Sequence, residues 1–302
     1  MLVKELGGTG VFLPEIGIGT WNYHAGLEPL RRGLEAGARF LDTAESYGTE
    51  EVIRETVKGM RDHVFIATKV SPQNFRRADF RKSVDSSLLR LGIDTIDLLQ
   101  LHQPSTSVPI QETMEAMTEA VDSGKVKFVG VSNFTVAHLK AAQKALQRHR
   151  IVSNQVRYNL IDRTIETDLL QYCQTNRITV IAYSPLGRGL TRIMDCDPSG
   201  AINELVRETG KSPAQIVLNW CLCRDGVIVI PGGNSEEHIL ENCGASDWRL
   251  TPEQVSLLDT KIQFRHRSRF DGLVRKYMPR SFEKLALHVL NCLPRGLRRR
   301  LT

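Results

Sequence analysis

Eight short apolar runs recur along the chain, each followed by a stretch with helical spacing. The runs are Ile16–Thr20, Arg39–Asp42, Val64–Lys69, Ile96–His102, Val126–Val131, Val152–Val156, Ile178–Tyr183 and Val227–Pro231. They are crowded with β-branched and other apolar residues, the composition of parallel strands covered on both faces. Between them, Val84, Leu88 and Leu91, and likewise Met114, Met117 and Val121, repeat at intervals of three or four, which predicts amphipathic helices. Ser212-Pro213-Ala214-Gln215 has the form of a capping box with proline at the first helical position. Gly37, Gly92 and Gly124 stand where helices close.

Strand starts fall roughly 22–32 residues apart until the last interval, which is longer and is expected to hold two helices. Eight alternating β and α units in about 250 residues predict an α/β fold, a closed (β/α)8 TIM barrel. A doubly wound sheet is the alternative that strand counting leaves open. Gly7-Gly8-Thr9-Gly10 before the first run suits an N-terminal β-hairpin sealing the barrel floor. The predicted division is a barrel over residues 1–264 and a basic C-terminal extension, helical in its spacing, over 265–302.

Charge distinguishes those two parts. The whole chain carries 40 Lys and Arg against 34 Asp and Glu, a net +6 that by itself suggests a nucleic-acid binder. Residues 265–302 hold 11 basic and 2 acidic residues, so the remaining 264 carry 29 basic against 32 acidic. A mildly acidic body offers no phosphate-binding groove, which needs clustered cations on one surface, and no nucleic acid is expected as a partner. In the extension, Phe282, Leu285, Val289 and Leu293 repeat at helical spacing, with Arg295, Arg298, Arg299 and Arg300 beyond them. Such a segment suits a final helix packed on the barrel, a flap over its mouth, or a surface attracted to anionic membranes or an acidic partner.

No run approaches the about 18–20 apolar residues of a membrane span, and the N-terminus has no signal-peptide pattern. A cytoplasmic protein, monomeric or weakly oligomeric, is expected. Six scattered cysteines show no paired metal-ligand spacing and fit reduced thiols, with no metal site. Two apparent nucleotide motifs fail. Gly17-Ile18-Gly19 lacks the third glycine and opens no helix, and Gly210-Lys211-Ser212 has Leu205 where a P-loop needs glycine.

In a (β/α)8 barrel, reactive groups project from the C-terminal ends of strands. Here Asp42, Lys69 and His102 end three consecutive strands, and Tyr47 lies five residues past Asp42. Singly, each has an ordinary explanation as a cap, a solvated cation, a core phenol or a satisfied imidazole. Together they converge on one rim. A tyrosine hydroxyl titrates near ~10 in water. A neighbouring Lys69 ammonium is expected to lower it, Asp42 to neutralise Lys69, and His102 to hold a substrate oxygen. That set suits carbonyl reduction, with a tuned proton donor opposite a hydride source.

These residues lie within Leu41-Asp42-Thr43-Ala44-Glu45-Ser46-Tyr47-Gly48, Thr68-Lys69-Val70 and Leu99-Gln100-Leu101-His102. Together with Gly130-Val131-Ser132-Asn133-Phe134, Asn154-Gln155-Val156 and Tyr183-Ser184-Pro185-Leu186-Gly187-Arg188-Gly189, the chain resembles the aldo-keto reductase family from about Leu6 to Ile262. The resemblance implies a nicotinamide cofactor extended across the barrel mouth without a Rossmann fold. It implies Tyr47 as general acid, Lys69 and Asp42 as its tuning groups, and His102 as the group orienting a small-molecule aldehyde or ketone. Ser132, Asn133 and Gln155 would hold the carboxamide, with Asp42 below and Tyr183 stacked on the ring. Gly19, Thr20 and Trp21 would border the cofactor, and Ser184, Leu186 and Gly189 its pyrophosphate. The adenosine end would fall to Gly232, Gly233, Asn234, Ser235, His238, Glu241 and Asn242.

Many family members carry Lys and Arg where this chain has Gly232 and His238, so a guanidinium grip on the 2′-phosphate is lost. NADPH is the expected cofactor, with NADH possible. Trp21, Tyr23 and His24, with Tyr47 and His102, are expected to wall the substrate pocket, and the short loop 191–200 to leave it open. The rival within the family is a cofactor-binding regulatory subunit with little turnover, against which the intact Asp42, Tyr47, Lys69 and His102 argue.

Overall fold

The structure, a computed structural model, describes residues 1–264. The extension 265–302, with its expected helix, lies outside the described residues. Two short strands, β1 (Val3–Glu5) and β2 (Phe12–Pro14), pair antiparallel as the expected hairpin. The barrel strands are β3 (Ile18–Gly19), β4 (Phe40–Asp42), β5 (Phe65–Val70), β6 (Ile96–Leu101), β7 (Val126–Ser132), β8 (Ile151–Arg157), β9 (Thr179–Tyr183) and β10 (Val227–Ile230). They pair in parallel and in chain order from β3 to β10. The two ends then meet. Gly17 N–H donates to the Val229 carbonyl at 2.9 Å, Val229 N–H to Glu15 at 2.9 Å, and Gly19 N–H to Pro231 at 3.1 Å. That closure excludes a doubly wound sheet, which has two free edges.

Helices α1 (Glu28–Glu35), α2 (Glu50–Thr56), α3 (Arg77–Leu91), α4 (Ile110–Asp122), α5 (Val136–Leu146) and α6 (Leu169–Thr175) each follow a strand. Between β9 and β10 stand α7 (Leu190–Met194), α8 (Ala201–Thr209) and α9 (Pro213–Leu222), three helices where two were expected. The extra one is α7, whose five residues are too few to display a 3.6-residue period. Helices α10 (Glu236–Cys243) and α11 (Pro252–Lys261) complete the described chain. The expected box at Ser212 caps α9, its hydroxyl accepting from Gln215 N–H while Gln215 reaches back to Ser212 N–H.

Alternation along each strand builds two cores. Outward residues pack with the helices in one large cluster that includes Leu30, Phe80, Met117, Leu139 and Trp220. Inward residues Phe40, Ala67, Leu98, Val152, Ile181 and Ile228 fill the barrel, and Leu6 and Leu13 of the hairpin stop its floor. Gly7 makes that plug possible. It adopts φ +54°, and a Cβ there would come within 2.5 Å of the Val152 carbonyl oxygen.

Two residues further along three of these inward rows, the side chains turn polar. Phe40 is followed by Asp42, Ala67 by Lys69, and Leu98 by Gln100 and then His102. The same alternation that fills the barrel with hydrocarbon therefore delivers ionisable groups to its C-terminal mouth.

Candidate active site

The mouth holds a cleft of about 690 Å³. At its base, Lys69 and Asp42 form an ion pair at 2.6 Å, their side chains only 1% and 3% exposed. Lys69 Nζ also donates to the Thr43 carbonyl at 2.8 Å. The other Asp42 oxygen accepts from Gln155 Nε2 at 2.7 Å and from Gln100 Nε2 at 3.2 Å. Both carboxylate oxygens are thus occupied, as a buried charge requires.

Tyr47 is carried by the loop between β4 and α2, where its N–H donates to the Ala44 carbonyl at 3.0 Å. Its ring lies 4.9 Å from Lys69 Nζ and edge-on to His102, with centroids 5.5 Å apart. The phenol oxygen stands 3.3 Å from His102 Nε2. Four residues from three strand ends and one loop therefore share a single volume.

Burial is the largest influence on the protonation of Tyr47, Lys69 and His102. It raises the Tyr47 phenol above its ordinary 10, and the Asp42 carboxylate and then Tyr183 push the same way. The expected lowering by Lys69 is not found, because Asp42 compensates the ammonium and burial dominates. Burial, followed by the Lys69 charge, pushes His102 down from 6.5 to about 4 despite the opposing pull of Asp42 and Glu45. Lys69 is lowered by burial, with Asp42 opposing. At neutral pH the pocket presents a protonated phenol beside a neutral imidazole.

Above this base, Ser132 ends β7 and Asn133 follows it. Asn133 Oδ1 accepts from the Tyr183 hydroxyl at 2.9 Å, and its Nδ2 donates to the His102 carbonyl at 3.2 Å and to Ser132 Oγ at 2.9 Å. Asn133 (φ 62°) and Ser184 (φ 49°) both take left-handed backbone, which turns the chain sharply at the rim. Trp21, 55% exposed, overhangs the opposite edge, with the Arg188 guanidinium 5.5 Å from its ring.

The fold has known counterparts. The aldo/keto reductase family profile matches residues 15–263. The chain belongs to the aldo/keto reductase family. Such proteins are NAD(P)H-dependent oxidoreductases. Methylglyoxal reductase YeaE of Escherichia coli (strain K12) is 33% identical over 259 residues, 82% of this chain and 91% of that protein. An aldo/keto reductase of Klebsiella pneumoniae, solved with NADP and acetate, superposes with TM-score 0.79 at 34% identity, covering 88% of this chain and 97% of that one. The thermostable aldo-keto reductase Tm1743, solved with the inhibitor epalrestat, gives TM-score 0.80 at 37% identity over 86% of this chain and 99% of its own.

Within this reductase the cleft is lined by Gly19, Trp21, Asp42, Tyr47, His102, Ser132, Asn133, Gln155, Tyr183, Ser184, Leu186, Gly189 and Gly232, all picked out from sequence. Others lie elsewhere. Tyr23 is buried beneath its own loop, with its hydroxyl donating to the Gly26 carbonyl at 2.7 Å, and it does not wall the cleft. Thr20 is wholly buried behind the base, donating to the Asp42 carbonyl at 3.0 Å. His24 lies on the exterior, its N–H donating to Asn234 Oδ1 at 2.9 Å. Asn234 Nδ2 donates to the Asn22 carbonyl at 3.1 Å, tying the loops after β3 and β10 together. Ser235 caps α10 by accepting from His238 N–H, and the His238 side chain is exposed. Gly233 precedes that cap, while Glu241 and buried Asn242 lie in the second half of α10.

Gln100, Ser46, Gln103, Arg188 and Leu190 were not singled out from sequence. Gln100 could have been, since it occupies the inward position between Leu98 and His102. The loop residues carry no such periodic signal. The loop 191–200 is partly helical, through α7, and Leu190 at its start lines the cleft.

Proposed function

We propose that this reductase converts small aldehydes and ketones to alcohols with NADPH, and that Tyr47 donates the proton. The observation carrying this proposal is the Tyr47–His102 contact at 3.3 Å above the buried Lys69–Asp42 pair, on the floor of one open cleft. With its pKa raised by burial, the phenol keeps its proton across the neutral range beside a neutral imidazole. His102 orients the carbonyl oxygen toward the Tyr47 hydroxyl. Lys69 and Asp42 keep the buried floor electrically balanced, and place a cation 4.9 Å from the tyrosine ring where negative charge develops as the proton leaves.

The residues present fit a nicotinamide nucleotide. Tyr183 offers a flat face fixed by Asn133, and Ser132, Asn133 and Gln155 supply amide and hydroxyl partners for a carboxamide. The turn Ser184–Gly189 presents backbone to a pyrophosphate. When bound, the reduced nicotinamide supplies the hydride. YeaE is named for methylglyoxal, and this chain's open cleft likewise suits a compact carbonyl compound, with Trp21 as its apolar wall.

The 2′-phosphate is the distinctive question, because Gly232 and His238 replace the cations of many relatives. Glu236 pairs with Arg32 at 3.1 Å, a guanidinium that also serves Glu35 at 2.6 Å. Glu237 adds a second carboxylate to the first turn of α10, against which the helix start offers an anion its backbone N–H groups. Equilibrium titration with NADPH and NADH checks the preference. NADPH is expected to bind at least about tenfold tighter (~1.4 kcal/mol), and a smaller difference would refute the preference.

A further inference from the structure

Arg157 ends β8, directly beside Tyr183 of β9 in the parallel ladder. It lies two residues beyond Gln155, which reaches Asp42 at 2.7 Å, so strand alternation turns it to the same, barrel-facing side. Its guanidinium carbon sits 5.6 Å from the Tyr183 ring centroid. Its Nε is buried and has no hydrogen-bond partner. Among the described residues Arg157 forms no ion pair. Tyr183 lines the cleft, and the Arg157 guanidinium lies over its ring.

A half-buried arginine with neither carboxylate nor full hydrogen bonding is costly to keep. The remaining charges at the base do not balance it, because Asp42 and Lys69 neutralise each other at 2.6 Å. Arg188, the other guanidinium near the cleft, lies over the solvent-exposed Trp21 ring at the rim, where water screens it. Arg157 therefore sets an unpaired positive charge against the Tyr183 ring proposed to receive the nicotinamide.

We infer that Arg157 is a positioning residue that acts through Tyr183 to favour the reduced cofactor over the oxidised one. The inference rests on the proposed seating of the nicotinamide against Tyr183. The oxidised ring carries a positive charge and the reduced ring is neutral, so a fixed cation against Tyr183 repels only the oxidised form. The two forms share the rest of the nucleotide, and contacts to phosphates and adenosine cancel in the comparison. The consequence for turnover is directional: after hydride transfer the oxidised cofactor is held less tightly and leaves more readily.

The test is the ratio of dissociation constants for NADP+ and NADPH, measured by equilibrium titration of the parent, Arg157→Gln, Arg157→Met and Arg157→Lys. Removing the charge is expected to lower the NADP+/NADPH ratio about three- to tenfold in both Gln and Met variants. The Lys variant keeps the charge and is expected to stay within about twofold of the parent. A merely structural role for the arginine would weaken both forms together and leave the ratio unmoved. The Met variant keeps an apolar stem against Tyr183 and serves if the Gln variant does not fold. An unchanged ratio in whichever neutral variant folds, or a Lys variant that shifts as far as the neutral ones, overturns the inference while leaving the proposed activity standing. A parent that binds neither nucleotide overturns both.

Discussion

Tyr47→Phe is expected to lower kcat by at least about 10²-fold while cofactor affinity and melting temperature stay near parental values. The hydroxyl lies 3.3 Å from His102 Nε2 and makes no other hydrogen bond among the described residues, so little structure depends on it. Phenylalanine keeps the ring against Lys69 and His102, and removes only the proton donor. A loss confined to kcat and kcat/KM, with unaltered nucleotide binding, is the signature of an interaction needed in the transition state alone. The parent's rate should be nearly flat through the neutral range, because burial holds the phenol above 10 and the imidazole down at about 4. Activity in the phenylalanine variant within a few-fold of the parent would remove Tyr47 from the chemistry.

Asp42→Ala is expected to cost about 3–5 kcal/mol of stability, the usual result of stranding one member of a buried ion pair. The Lys69 ammonium would keep only the Thr43 carbonyl, Gln100 Nε2 would lose its acceptor, and Gln155 Nε2 would keep only Gln100 Oε1 at 3.4 Å. At about 2–4 °C per kcal/mol for a chain of this size, the melting temperature should fall by roughly 10 °C. The loss has a definite pH dependence. Without Asp42, which raises the Lys69 pKa by charge and by hydrogen bond, burial lowers it unopposed. The unfolded chain then binds more protons than the folded one below the ordinary lysine value, so the variant's stability rises with pH. The gap to the parent should narrow between neutral and alkaline solution. The double variant Asp42→Ala/Lys69→Met should regain much of the loss, because no charge is then left unpaired. Thermal melts at two pH values measure all three outcomes, and a single variant within about 1 kcal/mol of the parent would contradict the account of the base.

What could be read without coordinates follows from where the signal is local. Strand ends are local, so Asp42, Lys69 and His102, each closing one of three consecutive apolar runs, announce a polar mouth. The Gly7–Gly10 turn and the Ser212 cap are equally local. Closure between β3 and β10 is not, and only the bonds joining Glu15, Gly17 and Gly19 to Val229 and Pro231 distinguish a barrel from an open sheet. The loop after β3 departs from expectation for the same reason. Tyr23 and His24 follow strand β3 and looked like pocket walls, but Asn234, more than two hundred residues away, draws that loop outward through His24 and Asn22. The direction of the Tyr47 shift was also beyond spacing rules. Sequence brought Lys69 near the phenol, but the outcome depends on burial and on Asp42 having already taken the ammonium's charge. Arg157 carries no sequence signal, because what sets it apart is a buried Nε without a partner.

The central claim is catalysis, not mere possession of a cofactor cleft. It is tested most directly by following NADPH consumption by the parent with methylglyoxal and simple aldehydes while counting the alcohol formed. One alcohol per NADPH consumed, with turnover that depends on Tyr47, is the predicted result. Tight NADPH binding with no turnover on any aldehyde or ketone would contradict it, and would make the chain a cofactor-binding subunit instead of a reductase.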